Sequence, residues 1–155
     1  MKAFLTIIVL AALVFSMISC SEGNSEGCGI GWRRTQNKCY LLSNLQFNWF
    51  NALDFCRSVG GRLAVPKNER EHQFLRWMAR HSGKEYIWIG VADFIAEGKW
   101  LTFPDMWHAK YFTWGYKQPD ERTKGNCVDM IRAYDYKWND APCGAVINFI
   151  CEKAK

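Results

Sequence analysis

Two short stretches carry the side chains best suited to chemistry. Gln118-Pro119-Asp120 and, beginning eighteen residues after Asp120, Trp138-Asn139-Asp140 each offer one side-chain amide and one carboxylate. Such pairs suit calcium, a hard cation that takes roughly six to eight oxygens from carboxylates, amides and backbone carbonyls. A cis Gln118-Pro119 bond, which X-Pro pairs reach at modest cost, would let the side chains on both sides of the proline point at one centre. The second pair lies between Cys127 and Cys143. His72 and His81 lack a partner histidine at ligand spacing and are expected to be exposed or at a helix edge. No G-x-S-x-G, no H-E-x-x-H and no nucleophile with a base at recognisable spacing is present, which argues against an enzyme.

Ligands of this kind need a scaffold, and 155 residues with 49% hydrophobic content make one domain with a real core. Residues 1 to about 20 have the plan of a signal peptide: Lys2, an apolar run from Ala3 to Ile18, then small and polar residues, with cleavage expected at about 19–23. The run falls short of the ~20 apolar residues that a membrane span needs, and no later segment could span. Removing the leader takes one lysine and no acid, so the formal charge of +5 becomes +4. The basic residues are scattered and no duplex-reading motif accompanies them, so nucleic acid is not an expected partner.

Seven cysteines in a secreted, extracellular chain imply disulfides. Cleavage after Cys20 leaves six, which counting alone can pair in fifteen ways. Cleavage after Ser19 leaves Cys20 as a spare thiol that could link two chains into a homodimer. Cysteine-bound zinc would want close pairs such as C-x-x-C, and none exists.

Cys28 to Leu42 reads as a hairpin turning at residues 35–38. Asn48 can cap a first helix that buries Trp49, Ala52, Leu53 and Cys56 and stops at Gly60-Gly61. Asn68 and Glu71 form a capping pattern for a second helix with Phe74, Leu75 and Met78 inside. Ile87 to Val91 is a strand, Lys99–Phe103 and Tyr111–Trp114 are strands framing a loop that carries Met106, Trp107 and His108, and Cys127–Ile131, Lys137-Trp138 and Val146–Cys151 close the chain.

The order and spacing of Cys28 with Gly31-Trp32, Cys39-Tyr40, Trp49-x-x-Ala52-x-x-x-Cys56, Gly61-x-Leu63-Ala64, Trp88-Ile89-Gly90, Trp114, Gln118-Pro119-Asp120, Cys127, Trp138-Asn139-Asp140, Cys143 and Cys151 resembles the C-type lectin-like domains. The resemblance spans residues 28–152. It implies an α+β fold, with two helices packed on small antiparallel sheets, a long loop region and three disulfides: Cys28–Cys39, Cys56–Cys151 and Cys127–Cys143. In the loop-entropy model the first is worth about 2–3 kcal/mol and the second about 4–5 kcal/mol.

Gln118, Asp120, Asn139 and Asp140 are, by this resemblance, the ligands of Ca2+ and of a sugar. The glutamine-proline-aspartate order is the one associated with terminal galactose or N-acetylgalactosamine, because the order of amide donor and carboxylate acceptor selects the hydroxyl pair that leaves nothing unpaired. Two departures stand out. Gly125 replaces the family's usual glutamate two residues before Cys127, leaving about five protein oxygens and a calcium affinity at or beyond the weak end of extracellular modules, about 10⁻⁴ to 10⁻³ M. No tryptophan follows the triplet, so Tyr116, Tyr134 and Tyr136 are the candidate sugar platforms, each more readily structural. Asp93 and Glu97 match auxiliary calcium positions, but their expected partners are Gly125 and Asn126, so both read as loop acids. Arg122 and Lys124 could favour acidic glycans. The rival reading is a calcium-independent lectin-like domain that binds protein, mineral or another surface. Agglutination of microbes in innate immunity is a common role of small secreted members.

Overall fold

Each helix begins where a side chain can take its orphan N–H groups. The computed structural model describes residues 27–35 and 37–155; the expected leader and Cys20 lie outside the described residues. α1 (Trp49–Ser58) is capped by Asn48, whose side chain accepts from Asn51 N at 2.8 Å, and it buries Trp49, Ala52 and Cys56. α2 (Glu69–Ser82) is capped by Asn68, which accepts from Glu71 N at 3.0 Å, while the Glu71 carboxylate accepts from Lys67 N, one residue further out than a simple capping box. It ends at Gly83, whose φ of 70° is the left-handed conformation that glycine adopts without cost.

The buried stripe of α2 includes His72, correcting the expectation of an exposed or edge histidine. Its Nε2–H donates to the Tyr136 carbonyl at 3.0 Å, a partner 64 residues away. A carbonyl can only accept, so the ring is the Nε2–H tautomer and Nδ1 is left without a partner. Burial holds its pKa below the usual histidine value.

Nine strands follow in chain order: β1 (Arg33–Arg34), β2 (Lys38–Leu42), β3 (Arg62–Leu63), β4 (Tyr86–Ala92), β5 (Leu101–Thr102), β6 (Trp107–His108), β7 (Cys127–Ile131), β8 (Lys137–Ala141) and β9 (Asn148–Ala154). The path runs β1-β2-β9-β4-β5-β6, with β3 on β9 and β7 joining β4 to β8. All pairs are antiparallel except β4 with β9. One core cluster packs α2 on β4, β7 and β8 through Leu75, Met78, Ile87, Ile89, Met130 and Trp138. A second holds α1 against β4 and β9 through Trp49, Trp88 and Phe149.

Disulfides Cys28–Cys39, Cys56–Cys151 and Cys127–Cys143 form with Cα separations of 5.6, 5.3 and 5.1 Å, as the resemblance implied. The α+β class and its two helices are likewise observed. Three strand expectations change. Trp107-His108 is a strand paired with Leu101-Thr102, not a loop. Residues 111–113 are not a strand: the segment is held instead by Trp138 N donating to Thr113 O, Gly115 N donating to Trp138 O, and the Trp114↔Trp138 bridge. The last strand starts at Asn148, because Ile147 is used in a bridge to Phe47.

Candidate functional site

β8 and the loop before β7 bring the two candidate pairs together. β8 extends through Asn139 and Asp140, in register with Asp129 and Val128 of β7. The loop enters with Lys117 at a φ of 62°, then the Gln118-Pro119 bond, which is cis as expected. Asp140, 1% exposed, binds this loop directly: Oδ1 accepts from Asp120 N and Oδ2 from Glu121 N, both at 2.9 Å. The contact between the pairs is therefore carboxylate to backbone. Among the described residues, no hydrogen bond joins the Gln118 or Asp120 side chain to that of Asn139 or Asp140.

Asn139 has both amide hydrogens engaged, one on Asp129 Oδ1 and one on the Asp140 carbonyl, each at 3.0 Å. Its Oδ1 remains as the atom able to face a ligand. Asp120 is exposed. Gln118 donates its backbone N–H to Gly115 O, while its Oε1 is buried and accepts nothing.

Asp129 is a carboxylate that sequence reading missed. It is buried on β7, and burial pushes its carboxyl up to about 7 against the pull of the Asn139 N–H, with Asp140 and Glu121 adding to the rise. The lone acid in the otherwise apolar Val128-Asp129-Met130 run, set opposite Asn139 by hairpin register, was the available signal. Asp93, 1% exposed, accepts at Oδ2 from Gly98 N at 2.8 Å and leaves Oδ1 unpartnered. Burial raises its pKa, and Glu97 and Asp140 add to the shift. Glu97 is exposed.

The glycine at 125 has a steric reason. A Cβ there would stand 2.7 Å from Glu121 Cβ and 3.0 Å from Asp140 Oδ2, so the shortened loop fills the place of the family's glutamate. The three tyrosines also separate. Tyr136 is buried with its hydroxyl on Lys84 O, and Tyr134 lies against Gly115 so tightly that a Cβ there would meet its ring at 2.5 Å. Tyr116 is 78% exposed, with Lys117 Nζ 5.3 Å from its ring centre. Lys124 is exposed.

The donor chemistry fits a calcium ion with four protein side chains: two amide oxygens, one of them the unpartnered Gln118 Oε1, and two carboxylates. Asp140 uses two of its roughly four lone-pair positions on backbone N–H groups, leaving the others. No three histidine, cysteine or carboxylate side chains gather as a metal site among the described residues; half of the candidate set here is amide.

The description "Lectin C-type domain" matches residues 45–153. Perlucin of Haliotis laevigata is 31% identical over 132 residues, covering 83% of this chain and 84% of that protein. The mouse scavenger receptor C-type lectin carbohydrate-recognition domain superposes with a TM-score of 0.75 at 30% identity, over 83% of this chain and 99% of that one. A calcium-independent type II antifreeze protein does so with a TM-score of 0.73 at 28% identity, over 82% and 94%. Among the described residues no helix is long and apolar enough to cross a membrane.

Proposed function

Because this chain belongs to the C-type lectin domain family, we propose that it is a secreted carbohydrate-binding lectin. In this reading Gln118, Asp120, Asn139 and Asp140 hold calcium and read a terminal galactose or N-acetylgalactosamine. The observation that carries it is the buried, unpartnered Gln118 Oε1. Leaving such an acceptor unmet costs about 1–3 kcal/mol, a cost that a cation or a hydroxyl donor removes.

Calcium, when bound, supplies a positive centre that can accept two neighbouring sugar hydroxyls. The residues then divide the remaining work. Both Asn139 hydrogens are engaged within the protein, so Asn139 acts through Oδ1 and the amide donor to a hydroxyl is Gln118 Nε2. Asp120, exposed and free of structural hydrogen bonds, is the acceptor on the other side of Pro119. Tyr116 offers its exposed ring to the apolar face of the sugar, and Lys117 and Lys124 favour acidic glycans. Three disulfides and the leader expected over residues 1–20 support secretion.

Retention on immobilised galactose in millimolar calcium, with release by chelator, tests the proposal. Asp120→Ala should abolish retention without unfolding the domain. A second reading, calcium-independent binding of a protein, mineral or other surface, is favoured by one observation: Asp140 closes the loop through its own hydrogen bonds while Glu121 fills the space beside Gly125. Retention that is unchanged in chelator would select that reading.

A further inference from the structure

A cavity of about 580 Å³ opens away from the loop just described, between residues 65–67, the β5–β6 hairpin and Trp138. Ligand pockets commonly fall within roughly 300–1,000 Å³. Val65, Val91, Tyr111 and Trp138 form its inner walls, and Met106 and Trp107, 54% and 68% exposed, stand over it. Met106 is held at a φ of 56°, a left-handed conformation that a long side chain seldom adopts. Exposed apolar residues lining one concavity mark a binding surface more readily than isolated ones do.

The polar groups give the cavity a sign. Arg62 is neutralised by Asp105 and by Glu152, the latter at 3.0 Å from Nε. Lys67 and Lys110, exposed on the lining, make no ion pair among the described residues. The remaining charge is therefore positive.

Trp138 adds an independent observation. It is one of three fully buried tryptophans. Trp49 donates its indole N–H to Ile89 O and Trp88 donates to Phe47 O, whereas Trp138 Nε1–H has no acceptor. Indole nitrogen only donates, and buried donors are rarely left unmet. What the cavity lacks is a hydrogen-bond acceptor inside and an anion at its mouth.

We propose that this cavity binds a single-chain acyl anion of the N-acyl amino acid class. Its chain lies along Val65, Val91 and Tyr111, its amide carbonyl accepts from Trp138, and its carboxylate meets Lys67 and Lys110. The proposal stands apart from the calcium and sugar reading and needs neither.

The test is a titration of the ¹⁵N-labelled protein with N-dodecanoylglycine, in chelator and below its micelle-forming concentration. A saturable downfield shift of the Trp138 indole N–H is expected. Calorimetry on the Lys67→Glu/Lys110→Glu variant should show binding weakened by about tenfold, the scale of two lost surface charge contacts and their reversal. Ala109→Phe, which fills a lining position, should remove it. An unmoved Trp138 resonance at millimolar ligand would overturn the proposal, as would equal binding of dodecyltrimethylammonium, which has the chain but the opposite charge. Working in chelator keeps the outcome independent of whether the galactose experiment succeeds.

Discussion

Exchanging Asp140 for asparagine asks whether this residue holds the binding loop shut by itself. The carboxylate accepts from two backbone N–H groups, those of Asp120 and Glu121, at 2.9 Å each. Asparagine has nearly the same shape but only one acceptor oxygen, so one of those N–H groups must face an NH₂. Hydrogen bonds to charged groups contribute about 1.5–3 kcal/mol. The second bond survives in weaker, neutral form, and removing a negative charge relieves some repulsion toward Asp129 and Asp93. A net destabilisation of about 1.5–3 kcal/mol follows, which for a domain of this size lowers Tm by roughly 5–15 °C. Thermal unfolding followed by circular dichroism should be run in chelator, so that no metal contributes to either protein. A Tm unchanged to within experimental error would refute the view that Asp140 staples the loop, and with it the physical basis of the calcium-independent reading.

Gly125→Glu, which restores the family's ligand type, should lower stability without strengthening calcium binding, because its Cβ would collide with Glu121 and Asp140; calcium calorimetry alongside thermal melts checks both halves. Folding stability should fall as pH drops below about 6.5, since the unfolded chain then takes up a proton that buried His72 resists, and the loss should level off below the folded-state pKa. Glu69 favours the charged ring while Arg76 and Lys137 oppose it, so the measurement is the difference from His72→Gln, which keeps a donor for Tyr136 O and should flatten the profile. Exchanging Gln118→Glu together with Asp120→Asn keeps ligand count and charge but moves the amide donor across Pro119; calcium titration should be unchanged while a glycan array shifts from galactose-type toward mannose-type sugars by roughly ten- to a hundredfold. An unmoved array would mean that the triplet does not read hydroxyls.

Much of the scaffold was legible because local signals agreed with the global fold. Asn48 and Asn68 mark helix starts, the β-branched and aromatic run before Ala92 marks β4, and β7 occupies the expected Cys127–Ile131. What escaped depends on partners distant in sequence. His72 is buried because the carbonyl of Tyr136 meets it across the core, and neither residue's neighbours announce the other. Trp107-His108 pairs only because the turn through Pro104 folds it back on Leu101-Thr102, and a two-residue strand has too little periodicity to show itself. At the site, the residue types were legible but their bonding was not. The partners of Asp140 are backbone N–H groups, which every residue but proline carries and which no side-chain pattern reveals.

The pairing of β2 with β9 has a consequence for how this domain can be used. Lys38 lies opposite Ala154, and a Cβ on Gly27 would come within 3.3 Å of the Lys155 side chain, so the described chain enters and leaves at one spot. A unit with adjacent ends can be spliced into a surface turn of a carrier protein through two short joints, or reopened elsewhere after its ends are fused, without stretching its own strands. The same geometry lets repeated copies hang as side branches from a backbone, each held at a single point of attachment.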